Sequence, residues 1–253
     1  MHRALLFLLL ALPLCGQRLD LVAPHPQFAW VNQENGPGNS CGPASLLNAF
    51  GSGSQRWQGV YQRVPGTIDQ GRLNSVIKIW ALRDSLHLPG RKRWQDRRGI
   101  SLNDLTDIAN EMASLERTPA LKSELLFTTS SRPREKTLRH AHKRMAKSLK
   151  NGLPPILSVR RFVYRDGQWQ GIQGHFVTLI ALPARLPRGA TSLPLRYLDP
   201  VGGRVLDAQL ILTDTSPSAP CLILRAPGTS AGKHLVRGNE PSHLGLAAIL
   251  GCY

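Results

Sequence analysis

Three residues far apart in the chain have side chains that together could carry out nucleophilic acyl chemistry: Cys41, His175 and Asp199. A thiol becomes a useful nucleophile when its thiolate is stabilised. A helix N-terminus does this with unpaired N–H groups and the helix dipole. Cys41 stands at such a junction in "NSCGPASLLNAF", residues 39 to 50. Pro43 presets the first turn, and Ala44, Leu46, Leu47 and Phe50 follow inside the helix. Gly42 would let the backbone approach a substrate, and the Cys41 N–H would face an oxyanion. The same cysteine also fits a packed core thiol, half of a disulfide or a metal ligand. The chain has no C-x-x-C or H-x-x-x-H spacing, which argues against a metal centre, and nothing in it calls for a cofactor.

A nucleophilic thiol needs a base, and the base needs an orienting acceptor. Gly174-His175 opens the apolar run "FVTLIAL", which would hold the imidazole at the edge of a rigid sheet. His25, His87, His140, His142, His234 and His243 lie in segments that read as loops or basic surface. Asp199 ends the next strand, in "YLDPVGG", where a neighbouring antiparallel strand would present it beside His175. Each residue alone has a plainer explanation: a strand-end histidine, or an aspartate that starts a turn before proline. The combination is more specific than its parts.

The elements that must position these groups divide the chain. The first half reads helical. It holds the segment after Cys41, "LNSVIKIWAL", "SLNDLTDIANEM" with a Ser101…Asp104 capping pattern, and a basic helix ending at Gly152. On that helix Leu138, Ala141, Met145 and Leu149 share one face, and Arg139, Lys143, Arg144, Lys147 and Lys150 cover the rest. The second half reads as strands: "PPILSVRRFVY", a hairpin turn at Asp166-Gly167, "GHFVTLIAL", "LPLRYLDP", "RVLDAQLIL" and "CLILRA". Helices followed by strands imply an α+β domain with helices packed on an antiparallel sheet.

Residues 1–16 read as a signal peptide, with Met1-His2-Arg3 before an apolar run too short to span a bilayer and a cut at Gly16-Gln17. A lipoprotein cysteine at Cys15 fits less well, because Leu14 before it is bulky. The expectation is a single domain over 17–253, exported to the periplasm or the extracellular space. No transmembrane segment is expected in the mature chain. Cys41, Cys221 and Cys252 then remain. The last two are expected to pair, which leaves Cys41 free. Lys and Arg number 32 against 16 Asp and Glu. The basic helix is either a solvated face or a surface for anionic components of the cell envelope. No recognition motif for nucleic acid accompanies the charge.

"NSCGPASLLNAF", "GHFVTLIAL" and "YLDP" together resemble the C39-like branch of papain-fold cysteine peptidases, and "NGLPPILSVR" resembles the strand before that family's histidine. The resemblance spans roughly residues 28 to 205. It implies a papain-like fold with Cys41 as nucleophile, His175 as general base and acid, and Asp199 as orienting group. Gln33 resembles the family's upstream glutamine and would supply the second oxyanion donor, although "ENGPGNS" separates it from the cysteine. Asn35 is nearer but a methylene shorter, and Asn39 would cap the helix. The implied activity is a cysteine peptidase acting on peptide or protein substrates. An acyl transferase or amidase would share the site. A non-enzymatic cationic binding protein is the alternative of another class.

Overall fold

The computed structural model describes residues 18–126, 134–213 and 222–253. The signal-peptide segment and Cys221, and with it the Cys221–Cys252 pairing, lie outside the described residues.

The helical half forms as its patterns indicate. α1 spans Cys41–Gly51, α2 Gln55–Arg63, α3 Asp69–Val76 with a π turn at Ile77–Ala81, α4 Leu102–Ser114 and α5 Arg134–Lys150. Ser101 caps α4: its hydroxyl accepts the Asp104 N–H at 3.1 Å and donates to the Asp104 carboxylate at 2.7 Å. α5 buries Leu138, Ala141, Met145 and Leu149 and exposes Lys136, Arg139, Lys143, Lys147 and Lys150. No helix among the described residues is long and apolar enough to cross a membrane.

The strand half departs from the expectation. β5 (Ile156–Arg165), β6 (Gln168–Leu182), β7 (Ser192–Asp199), β8 (Arg204–Leu212), β9 (Leu222–Arg225) and β10 (Ser242–Gly251) follow short strands β1 (Leu21–Val22), β2 (Trp94–Gln95), β3 (Gly99–Ile100) and β4 (Lys122–Leu125). The pairing order β6-β5-β10-β9-β8-β7 returns to β6 through the β6–β7 pairing. The sheet is therefore a closed six-stranded antiparallel barrel. The expected papain-like α+β fold, with helices packed on an antiparallel sheet, is thereby overturned. The physical reason is β10. Its small and aliphatic residues gave no strand period, yet it inserts between β5 and β9 and removes the edges an open sheet would have.

Two apolar clusters result. Val177, Leu179, Tyr197, Leu210, Leu224 and Leu246 of the barrel pack with the apolar face of α5. Phe176, Ile156 and Leu250 pack instead with α1 and the other N-terminal helices. β6 is thus covered on both faces from His175 onward. α1 is fixed to it by the Ser45 hydroxyl donating to the Phe176 carbonyl at 2.9 Å and the Thr178 hydroxyl donating to the Ser45 carbonyl at 3.0 Å. The Asp166-Gly167 turn has positive φ at both residues, 52° and 76°, as a type I′ hairpin requires.

Candidate active site

Cys41 is the first residue of α1 and carries a free, partly exposed thiol. The Ser40 side chain makes no capping hydrogen bond to the N–H groups of the first turn. Asn39 is not the expected cap. It adopts φ 53° and its amide donates to the Asp96 carbonyl at 2.6 Å. Gly42 also differs from expectation. A Cβ there would lie 2.5 Å from Ile100 Cγ2, so this glycine serves close packing against β3 rather than substrate approach.

His175 lies in the middle of β6 rather than at its start. Continuing the β6–β7 register from Thr178↔Leu198 sets Val177 opposite Asp199, which makes His175 and Asp199 diagonal neighbours on one face. The imidazole Nε2 meets Asp199 Oδ1 at 2.8 Å, which leaves Nδ1 for the Cys41 thiol beside it. Both His175 and Asp199 are buried, at 6% and 1% exposure, so the carboxylate depends on its partners. It has them: Val201 N–H donates to Oδ1 at 3.0 Å and the buried Thr229 hydroxyl donates to Oδ2 at 2.9 Å.

The electrostatics run in one direction. Burial pulls the imidazole down, but the hydrogen bonds to Asp199 and Cys41 outweigh it and push His175 up to about 10. Burial raises the Cys41 thiol, but the His175 hydrogen bond and charge, with the N–H groups of Phe176 and Gly42, bring it below its ordinary value. Burial likewise raises Asp199, and His175, Val201 and Thr229 together hold it low. All three shifts favour the charged forms: thiolate, imidazolium and carboxylate.

Gln33 opens a short 3-10 turn, Gln33–Asn35, capped by Asn32, whose Oδ1 accepts the Glu34 N–H at 3.0 Å. The turn is tied to the segment just after Asp199. Gln33 N–H donates to the Pro200 carbonyl at 2.9 Å and Gly202 N–H donates to Asn32 Oδ1 at 3.0 Å. The Gln33 side chain lines one hollow with Cys41 and His175, and its Oε1 is buried without a partner among the described residues. Asn35 is exposed and lines neither hollow at Cys41.

Cys41 and His175 sit between two hollows, of about 340 Å³ on the Gln33 side and about 460 Å³ on the other. The larger one has an apolar lining of Ile100, Leu102 and Phe176 and carries Arg98 and Arg160. The structure thus brings together all four sequence-expected residues: Cys41, His175, Asp199 and Gln33. The sequence gives no signal for Thr229 or Arg160 and marks Arg98 only as part of the basic stretch "GRKRWQDRRG", residues 90 to 99. Thr229 sits in a turn of ordinary composition, "APGTSAG", and only the fold places it behind Asp199. Comparison of the chain with family models, curated proteins and solved structures gives no match in any of the three.

Proposed function

We propose that this chain is a thiol hydrolase that cleaves amide bonds of peptide or protein substrates through an acyl-enzyme. The observation that carries the reading is the buried, hydrogen-bonded His175–Asp199 pair with Cys41 beside it, lying between two hollows. The Cys41 thiolate attacks the carbonyl carbon, and the resulting oxyanion takes the Cys41 N–H and the Gln33 amide as donors. The C–N bond breaks as His175 delivers its proton to the leaving amine. Water, deprotonated by His175, then attacks the thioester and releases the acid and the thiol. Asp199 keeps the ring oriented throughout.

The motif resemblance to C39-like peptidases supports this reading, and the apolar N-terminal run supports action outside the cytoplasm. The exposed cations of α5 favour a docking role on anionic envelope surfaces, which is the second reading if the thiol proves inert. Iodoacetamide labelling of the mature protein at pH 5 to 6 separates the two. An imidazole-paired thiolate reacts there, whereas a thiol near about 8.5 barely does. Rapid labelling that Cys41→Ala removes, together with peptide hydrolysis, is the expected result. An unreactive Cys41 would overturn the hydrolase reading.

A further inference from the structure

The larger hollow beside Cys41 has an apolar floor and a basic rim. Ile100, Leu102 and Phe176 line it, with Leu125 exposed at its mouth. Arg98 enters from the β2–β3 turn and Arg160 from β5, both exposed. Neither guanidinium has a hydrogen-bond or ion-pair partner among the described residues. Among the described residues no Asp or Glu lines this hollow. That contrasts with Arg63, Arg83, Arg165 and Arg196, which all pair with carboxylates. The Arg160 stem is also held in place: a Cβ at Gly171 would lie 2.6 Å from Arg160 Cδ, so the glycine makes room for it.

We propose that this hollow selects a substrate carrying a carboxylate, with an apolar side chain on the Ile100–Phe176 floor and the carboxylate at Arg98 and Arg160. Guanidinium groups suit a carboxylate because their planar donors match its two oxygens. The carboxylate belongs either to an Asp or Glu side chain or to the end of a peptide. The proposal rests on the hydrolase reading for its peptide measurements only.

The first measurement does not require turnover. Cys41 is alkylated with iodoacetate, an anion, and with iodoacetamide, its neutral counterpart, and the ratio of the two rates is compared between wild type and Arg98→Gln and Arg160→Gln. The ratio is expected to fall roughly threefold per arginine, as for a unit charge about 6 to 7 Å away in water-like surroundings, and to fall less at high salt. Arg160→Lys should recover most of it. Ratios equal to wild type in both Gln variants would overturn the proposal.

The second measurement offers matched peptides with Glu or Gln, each with a free or an amidated C-terminus. A Glu preference that weakens in the variants assigns the carboxylate to a side chain. A preference for the free terminus assigns it to the chain end. Cleavage of all four peptides at equal rates overturns the proposal while leaving the hydrolase intact. No cleavage of any peptide counts against the hydrolase reading, and the alkylation ratio then decides the anion site by itself.

Discussion

Two thiols in this chain stand near cations, and their environments drive them apart. Cys252 is buried at the end of β10, beside a hollow of about 530 Å³ that Arg56, Lys122 and Lys147 also line. Burial raises its thiol, and the Asn151 amide with the charges of Lys147 and Arg56 do not reverse the effect. Burial acts on Cys41 in the same sense, yet that thiol ends below its ordinary value. The difference lies in geometry rather than net charge. The charges of Lys147 and Arg56 do too little at Cys252, whereas an imidazole beside the Cys41 thiol, fixed by a carboxylate, prevails over burial.

That contrast breaks most sharply at the residues themselves. Cys41→Ala should lower turnover by about 10⁴ or more with the protein still folded, and His175→Ala should do the same, because the pair acts as a unit. Asp199→Ala should be about 10²-fold milder, since it orients the ring and does not exchange the proton. Cys252→Ala should leave turnover near wild type. Steady-state kinetics on one peptide substrate checks all four. Turnover that survives Cys41→Ala but is lost in Cys252→Ala would assign the nucleophile to the other thiol.

The next effect separates the two sides of the nucleophile. Gln33→Ala should lower turnover by about 10² to 10³, the usual loss for one oxyanion donor, while alkylation of Cys41 stays fast. Asn35→Ala should change little, because its side chain is exposed and lines neither hollow at Cys41. The reverse pattern would move the donor two residues along the loop.

Thr229→Val sharpens the comparison from behind. It removes the hydroxyl on Asp199 Oδ2 and leaves His175 untouched. A hydrogen bond to a charged group is worth about 1.5 to 3 kcal/mol, so a loss of about 10- to 150-fold in turnover is expected. A purely structural role would lower stability alone. The distinguishing readout is the pH dependence of Cys41 alkylation, which should shift upward in Thr229→Val as the carboxylate holds the imidazolium less firmly. An unshifted profile would reduce Thr229 to packing.

Much of this site was legible before any coordinates, and the reasons are local. Pro43 and the apolar spacing after it announced α1; "FVTLIAL" and "YLDP" announced β6 and β7. Neighbouring antiparallel strands then bring His175 and Asp199 together with little further information. Closure of the barrel was not legible, since it depends on β10, whose "SHLGLAAILG" lacks both alternation and β-branched density. Its contact with β9 at Gly245↔Ile223 is a long-range pairing that no local period encodes. The same holds for Thr229, Arg98 and Arg160. Thr229 stands in a turn and Arg160 on a strand face of ordinary composition, Arg98 lies in the basic run "GRKRWQDRRG" that marks charge without marking a site, and only the assembled barrel and helices bring them to Cys41 or Asp199.

The smallest expected effect repeats the thiol contrast with imidazoles. His243 on β10 stacks against Phe162, with ring centroids 5.6 Å apart, and tilts on Trp169 at 4.2 Å. Its Nε2 has no partner among the described residues. Burial and the charge of Arg161 on β5 bring it down to about 4, whereas His175 with its carboxylate goes up to about 10. The two histidines therefore act at opposite ends of the pH scale. With His243 the unfolded chain, near about 6.5, binds more protons than the folded one between pH 6.5 and 4, so stability falls as the pH drops through that window. With His175 the folded chain binds more, so its contribution is complete below about 6.5 and is lost as the pH rises toward 10. His243→Phe keeps an aromatic ring against Phe162 and Trp169 and removes the titration. Urea midpoints at pH 7 and pH 4.5 should then differ less in His243→Phe than in wild type, while the loss above pH 8 is shared by both. Equal acid losses in the two proteins would show that the imidazole of His243 is protonated in the folded state without cost, and that its aromatic neighbours do not keep it neutral.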